Sequence, residues 1–115
     1  LRLLFDENTP FSLARDLIGH RCDSVIRRQW RGMKNGALLK NAEAAGFGAL
    51  ITLDDDIEPE QNMAGRKISI LVLKPSAQGK RATRALAGPV LRALHDLGPG
   101  EIRVVTAESD GRSEL

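Results

Sequence analysis

Apolar residues along this chain follow two different periods. Short unbroken runs occupy Leu1–Asp6 (LRLLFD), Ala49–Leu53 (ALITL) and Ile68–Leu73 (ISILVL). A run without polar alternation suits a strand covered on both faces. Cys22–Ile26 is a shorter, weaker strand candidate, and Glu101–Val105 is the last one. Between the runs the apolar spacing becomes helical. Phe11, Ala14, Leu17 and Ile18 share one face, with Thr9 expected as N-cap, Pro10 as the first helical residue and Gly19 as the stop. Leu38, Leu39, Ala42 and Ala45 share a second face, opened by Asn35-Gly36 and closed by Gly46. Leu86, Val90, Leu94 and Leu97 share a third, within Arg84–Leu97. Gly88-Pro89 interrupts that helix. An interior proline costs about 3 kcal/mol, so a kink, or a helix proper that begins there, is expected. Arg27–Lys34 reads as a basic connection and Lys74–Thr83 as a loop. Ile57–Gly65 reads as a loop with at most one turn, started by Pro59.

Strands alternating with helices predict an α/β fold, here a three-layer α/β/α sandwich around a mostly parallel sheet of four to five strands. The 115 residues suffice for one core and not for two. Residues 1–105 are read as that one domain, and polar residues 106–115 as a flexible C-terminal tail. Hydrophobic residues at 42% and charged residues at 28% give a globular balance. No apolar run is long enough to span a membrane, and no leader precedes the first strand, so no membrane partner is expected. Cys22 is the single cysteine, which rules out an internal disulfide and makes a reducing cytosol the expected compartment. A net charge of +2 says little about partners. Three Phe, one Trp and no Tyr argue against an aromatic base-stacking platform.

The candidate chemistry lies at the ends of two apolar runs. The first strand ends in Asp6-Glu7, and the third, Ala49–Leu53, runs into Asp54-Asp55-Asp56. In open α/β sheets ligands bind beyond the carboxyl ends of strands, where the strand order reverses. The first and third strands are natural neighbours there. Like charges at a strand end repel one another, and a hard divalent cation reverses that balance. Acids from two strand ends can hold Mg²⁺ or Mn²⁺, which activate water for displacement at phosphorus. Loops following strands share that edge and carry Arg27, Arg28, Trp30, Arg31 and Lys34 after the second strand, then Lys74, Lys80, Arg81 and Arg84 after the fourth. From these, Arg28, Arg31, Lys34, Lys74, Lys80 and Arg81 are the expected RNA-binding residues. An acidic centre rimmed by cations is the charge layout of a metal-dependent nuclease. Taken singly, each cation is also what a solvated surface looks like.

FDENTP, then W-x-G with KNG and a helix ending AEAAGF, then ALITLDDDI and EQNMAGRKISILVL, form an ordered set over roughly Leu1–Val105. It resembles the small stand-alone PIN-like domains close to the VapC-type toxins of toxin–antitoxin pairs. The resemblance implies Mg²⁺- or Mn²⁺-dependent endoribonuclease activity at an acidic cluster, an RNA substrate, a small antitoxin partner and, by resemblance only, a homodimer. By position, Asp6 matches the acid ending the first strand, and Asp54 and Asp56 match those after the later strand. One position departs: Asn35 stands where the family usually has an acid. The nearest acid in that helix, Glu43, sits about 12 Å along the axis and is read as a flank residue.

Remaining polar residues divide between chemistry and structure. Asp55 ranks below Asp54 and Asp56 because alternation turns it away. Glu7, Asn35, Gln61 and Asn62 are candidates for holding the acidic ligands in place or touching substrate; for Asn35 a helix cap, and for Gln61 and Asn62 turn chemistry, are the competing readings. Trp30 is read equally as a base stacker and as a rim residue packed on a helix. His20 and His95 have no metal-ligand spacing. Cys22 reads as a small core residue. Two alternatives remain: a catalytically degenerate PIN-like module that binds protein or RNA, favoured by Asn35, and, with less weight, a phosphoacceptor receiver, suggested by Lys74-Pro75. An Asp6→Asn change is expected to abolish divalent binding and leave the fold intact.

Overall fold

The computed structural model describes residues 1–56 and 63–107. Five strands, β1 (Arg2–Phe5), β2 (Arg21–Ser24), β3 (Ala49–Thr52), β4 (Ser69–Lys74) and β5 (Ile102–Thr106), form one sheet in the order β2-β1-β3-β4-β5. Every pairing is parallel. Helix α1 (Asn35–Ala44) crosses from β2 to β3, while α2 (Lys80–Arg84) and α3 (Ala87–His95) cross from β4 to β5.

The unbroken apolar runs are explained by two cores, one on each face of the sheet. Leu3, Phe5, Ala49, Ile51, Leu71 and Leu73 pack with Leu13, Leu17, Leu86, Val90 and Leu94. Leu4, Leu50, Ile70 and Val72 point the other way and pack with Leu38, Leu39, Ala42 and Phe47. Successive strand side chains alternate faces, so covering both faces requires apolar residues at every position. This is the expected α/β/α layering.

Several local expectations are corrected. The segment after β1 is a 3-10 helix, Phe11–Asp16, and Thr9 does not cap it. The Thr9 hydroxyl instead bonds Asp6 and the Leu53 N–H. Ile18 lies outside the buried face at 81% exposure, because the chain turns at Gly19 with φ +90°. Asn35 is the first residue of α1 rather than its cap; extended Lys34 precedes it without a side-chain cap bond. The Arg84–Leu97 segment is split into α2 and α3, and Pro89 sits buried in the first turn of α3, where a missing N–H costs little. The final strand reaches Thr106, one residue into the expected tail. The turn expected at Pro59 lies outside the described residues, as do Gln61 and Asn62.

Gly46 stops α1 at φ +90°. Gly100, at φ +68°, turns the chain into β5 against the backbone of Arg66, where an added Cβ would lie 2.8 Å from the carbonyl oxygen. Among the described residues no helix is long and apolar enough to cross a membrane.

Candidate functional site at the β1–β3 strand ends

Strand order reverses between β1 and β3: the chain moves from β1 outward to β2, then returns to the other side of β1. Crevices beyond the carboxyl ends of such strands are where this architecture binds ligands. Asp6 leaves β1 and Asp54 follows β3 at that position. The Asp6 N–H continues the pairing by donating to the Ile51 carbonyl at 3.1 Å.

Two buried threonines join the strand ends. Thr9 donates to Asp6 Oδ1 at 2.5 Å and accepts the Leu53 N–H at 3.1 Å. Thr52, fully buried, donates to Asp6 Oδ2 and accepts the Asp54 N–H at 2.9 Å. The Asn8 N–H adds a third donor, 3.2 Å from Asp6 Oδ1. Both carboxylate oxygens of Asp6 are therefore engaged, and their charge is delivered through hydroxyls to the backbone that carries the acidic loop. Hydrogen bonds to an ionised acceptor are the stronger kind. Thr9 reads from the sequence only as a helix cap, and Thr52 is not singled out there. The available signal was a hydroxyl residue inside the otherwise apolar ALITL run.

Asp54, Asp55 and Asp56 are exposed, and one oxygen from each lies within 4.8 Å of the others. Asp54 Oδ1 accepts the Asp56 N–H at 2.9 Å, which holds the loop in a tight turn. Asp55, ranked third from the alternation, belongs to this group, while Asp6 does not. The donor set fits a hard divalent cation: opposite oxygens around an octahedral Mg²⁺ lie about 4.2 Å apart, within reach of small rotations of exposed side chains. Lys74, at the end of β4, approaches Asp55 at 3.9 Å and offsets part of the charge.

The remaining candidates are distributed around this centre. Glu7 pairs with Arg31 at 3.7 Å. Arg28 pairs with Asp23 at 3.6 Å and lies over the rings of Trp30 and Phe47 at 5.0 and 5.1 Å. Trp30 packs edge-on to Phe47, so its ring serves the α1-side core. Asn35 opens α1 with no side-chain partner among the described residues. Lys34, Lys80 and Arg81 are exposed and unpaired among the described residues. Arg84 is held by Asp16 at 3.1 Å.

Glu43 lies apart from the acidic centre. It accepts the Lys67 and Ile68 N–H groups at 2.6 and 3.2 Å and Arg66 at 3.0 Å, just before β4 begins. Burial alone would raise its pKa, but the two N–H groups and the guanidinium outweigh this and hold the carboxyl below its usual value. This is the flank role expected for it. Burial lowers the His20 pKa and raises that of the Cys22 thiol, so Cys22 is not activated as a nucleophile.

No protein-family model, no curated protein and no solved structure matches this chain.

Proposed function

We propose that this chain is a PIN-like, metal-dependent endoribonuclease acting as the toxin of a toxin–antitoxin pair in the cytoplasm. The observation that carries the nuclease reading is the convergence of acids at the β1–β3 switch point: Asp6 on a threonine-anchored seam, Asp54 on the same seam, and Asp55 and Asp56 beside it. The toxin role, the antitoxin partner and pairing of two copies rest on the resemblance.

Asp54, Asp55 and Asp56 would hold the cation, Mg²⁺ or Mn²⁺. A bound ion of this kind supplies an activated water and charge stabilisation at phosphorus. Asp6 fixes the position of the acidic loop through Thr52 and presents its own charge to the same edge. Lys74 is placed to bind a substrate phosphate when an ion takes over the charge of Asp55.

The test is a Mn²⁺ titration of thermal stability, wild type beside Asp54→Asn, followed by RNA cleavage. Saturation at a hundred times the dissociation constant should stabilise wild type by about 2.7 kcal/mol and leave the variant unmoved. Cleavage should require both the metal and Asp54. Absence of both effects in wild type overturns the reading.

A degenerate binding module is the second reading. It is favoured by Asn35 at the position where an acid is expected, and by the three donors already bound to Asp6. A receiver carries less weight: Lys74 closes β4 rather than β5, and β5 ends at Thr106.

A further inference from the structure

The two basic rims of the acidic centre carry the same number of cations but differ in what surrounds them. On the β2 side Arg28 is packed against Trp30 and Phe47, and Arg31 is paired with Glu7, which leaves Lys34 unpaired among the described residues. On the β4 side a cleft of about 530 Å³ opens between the ends of β3 and β4 and the following loop. Its apolar walls are Leu53, Leu73, Pro75 and Ala77, and Gln78 contributes an amide. Asp55 and Lys74, 3.9 Å apart, line the same cleft. Gly79 also lines it and immediately precedes, in the chain, the unpaired Lys80 and Arg81 at the start of α2. Acid and apolar slot thus share one cleft, and the two free cations follow it directly in the chain, where they line a neighbouring pocket with Asp16 and Arg84. The volume lies within the range of small-ligand sites, which are apolar with a few polar groups. An unstacked base presents an apolar face and a hydrogen-bonding edge, which suits such walls with one amide. A base inside a duplex presents no free face, so the slot selects single strands.

We propose that the RNA strand crosses the β4 side of the acidic centre. One unstacked base occupies the slot beside Gln78, and Lys80 and Arg81 hold the backbone phosphates beyond it. This rests on the nuclease reading for the identity of the strand. Lys74, at the mouth, faces the phosphate nearest the acidic centre. Arg31 and Lys34, read from the sequence as RNA-binding, stand on the opposite rim and in this path do not touch the strand.

The path is tested with a short, fluorescently labelled single-stranded RNA in EDTA, where metal-dependent cleavage is silent. Affinity is measured by anisotropy at about 50 and 200 mM KCl. Each phosphate contact to a single strand contributes a slope of about 0.7 in log affinity against log salt. Removing two contacts by Lys80→Ala with Arg81→Ala should make the loss of affinity across that interval about seven-fold smaller than in wild type. Ala77→Trp, which fills the slot from an exposed position, should weaken binding at both salt concentrations and keep the wild-type slope. Arg31→Ala with Lys34→Ala should follow wild type. A flattened slope in the Arg31 and Lys34 variant, with the Lys80 and Arg81 variant unchanged, overturns the proposal, as does absence of RNA binding at low salt. RNA held through Lys80 and Arg81 but uncut on addition of Mn²⁺ overturns the nuclease reading and leaves the path standing. Metal-dependent cleavage that survives Lys80→Ala with Arg81→Ala and Ala77→Trp at wild-type efficiency overturns the path alone.

Discussion

The hydroxyl of Thr52, at the end of β3, donates to the carboxylate of Asp6, at the end of β1, 46 positions earlier in the chain. The same oxygen accepts the Asp54 N–H at 2.9 Å. One buried atom thus links an acid on one strand to the backbone of the acidic loop on its neighbour. A carboxylate beside other carboxylates is stabilised here by local donors, so Asp6 has a structural role whatever it does to a ligand.

Thr52→Val keeps the shape and β-branching of the side chain and removes only the hydroxyl. A hydrogen bond to a charged acceptor is lost, and the Asp54 N–H loses its partner. The expected cost is about 2–3 kcal/mol, measured by urea denaturation. Thr52→Ser should recover most of it. If Thr52→Val is as stable as wild type, the link between the strands carries no energy.

Asp6→Asn was expected from the sequence to leave the fold intact by relieving repulsion among carboxylates. The donors around Asp6 change that expectation. An amide keeps one acceptor and turns an N–H₂ group toward a hydroxyl that also needs an acceptor. A loss of about 1–2 kcal/mol is expected, so metal binding by this variant must be measured at a temperature where it remains folded. A gain in stability would mean that repulsion from Asp54 outweighs the three donors.

Lys74→Ala separates charge balance from stability. The Lys74–Asp55 pair is 3.9 Å apart with both side chains largely exposed, so its removal should change stability by less than about 1 kcal/mol. Removing a cation at that distance should tighten Mn²⁺ binding by roughly five-fold, since two charges 4 Å apart in water interact by about 1 kcal/mol. Isothermal titration at low salt reads the difference. Unchanged Mn²⁺ affinity would place the ion away from Asp55.

Glu43 predicts an acid limb in the stability profile. Its folded pKa lies below the ordinary 4.5 because of Lys67 N–H, Ile68 N–H and Arg66, although burial opposes them. Glu101 is shifted the same way, first by its hydrogen bond from Arg103. In both cases the unfolded chain takes up the proton first as pH falls. Their contribution is therefore complete above about pH 4.5 and is lost as pH drops through the folded values. Glu43→Gln should cost about 1–2 kcal/mol near neutrality and fall off less steeply below pH 4.5, as read by denaturation at a series of pH values. Parallel profiles for variant and wild type would remove Glu43 from the acid response.

Much of the fold was legible in particular residues. Leu3-Leu4-Phe5 and Ile70-Leu71-Val72-Leu73 have no polar alternation because each strand buries both faces. Gly46 ends α1 as its position after the last apolar residue indicates. Helix rise, with the antiparallel run of a crossover helix, places Glu43 away from the acidic edge, and its carboxylate accepts the backbone N–H groups just before β4. The acids after β1 and β3 were legible as a pair because strand ends on one edge of a parallel sheet are set by connectivity.

What the sequence by itself determined was this layering, since burial of an unbroken apolar strand has few solutions, and the gathering of Asp6 and Asp54 at one edge. Tertiary structure alone decided the details that contacts between distant residues control. Thr9 reads as a helix cap from its neighbours, yet its hydroxyl goes to Asp6 and the Leu53 N–H, and the following segment winds as an uncapped 3-10 helix. Asp55 reads as turned away by alternation, but alternation ends with the strand, and the turn after Thr52 brings its carboxylate to the other two. Arg28 and Arg31 read as free cations, and packing commits them to Trp30, Phe47, Asp23 and Glu7. A hydroxyl or a guanidinium can bond any partner within reach. Local sequence states its capacity, and only the folded chain decides which partner arrives.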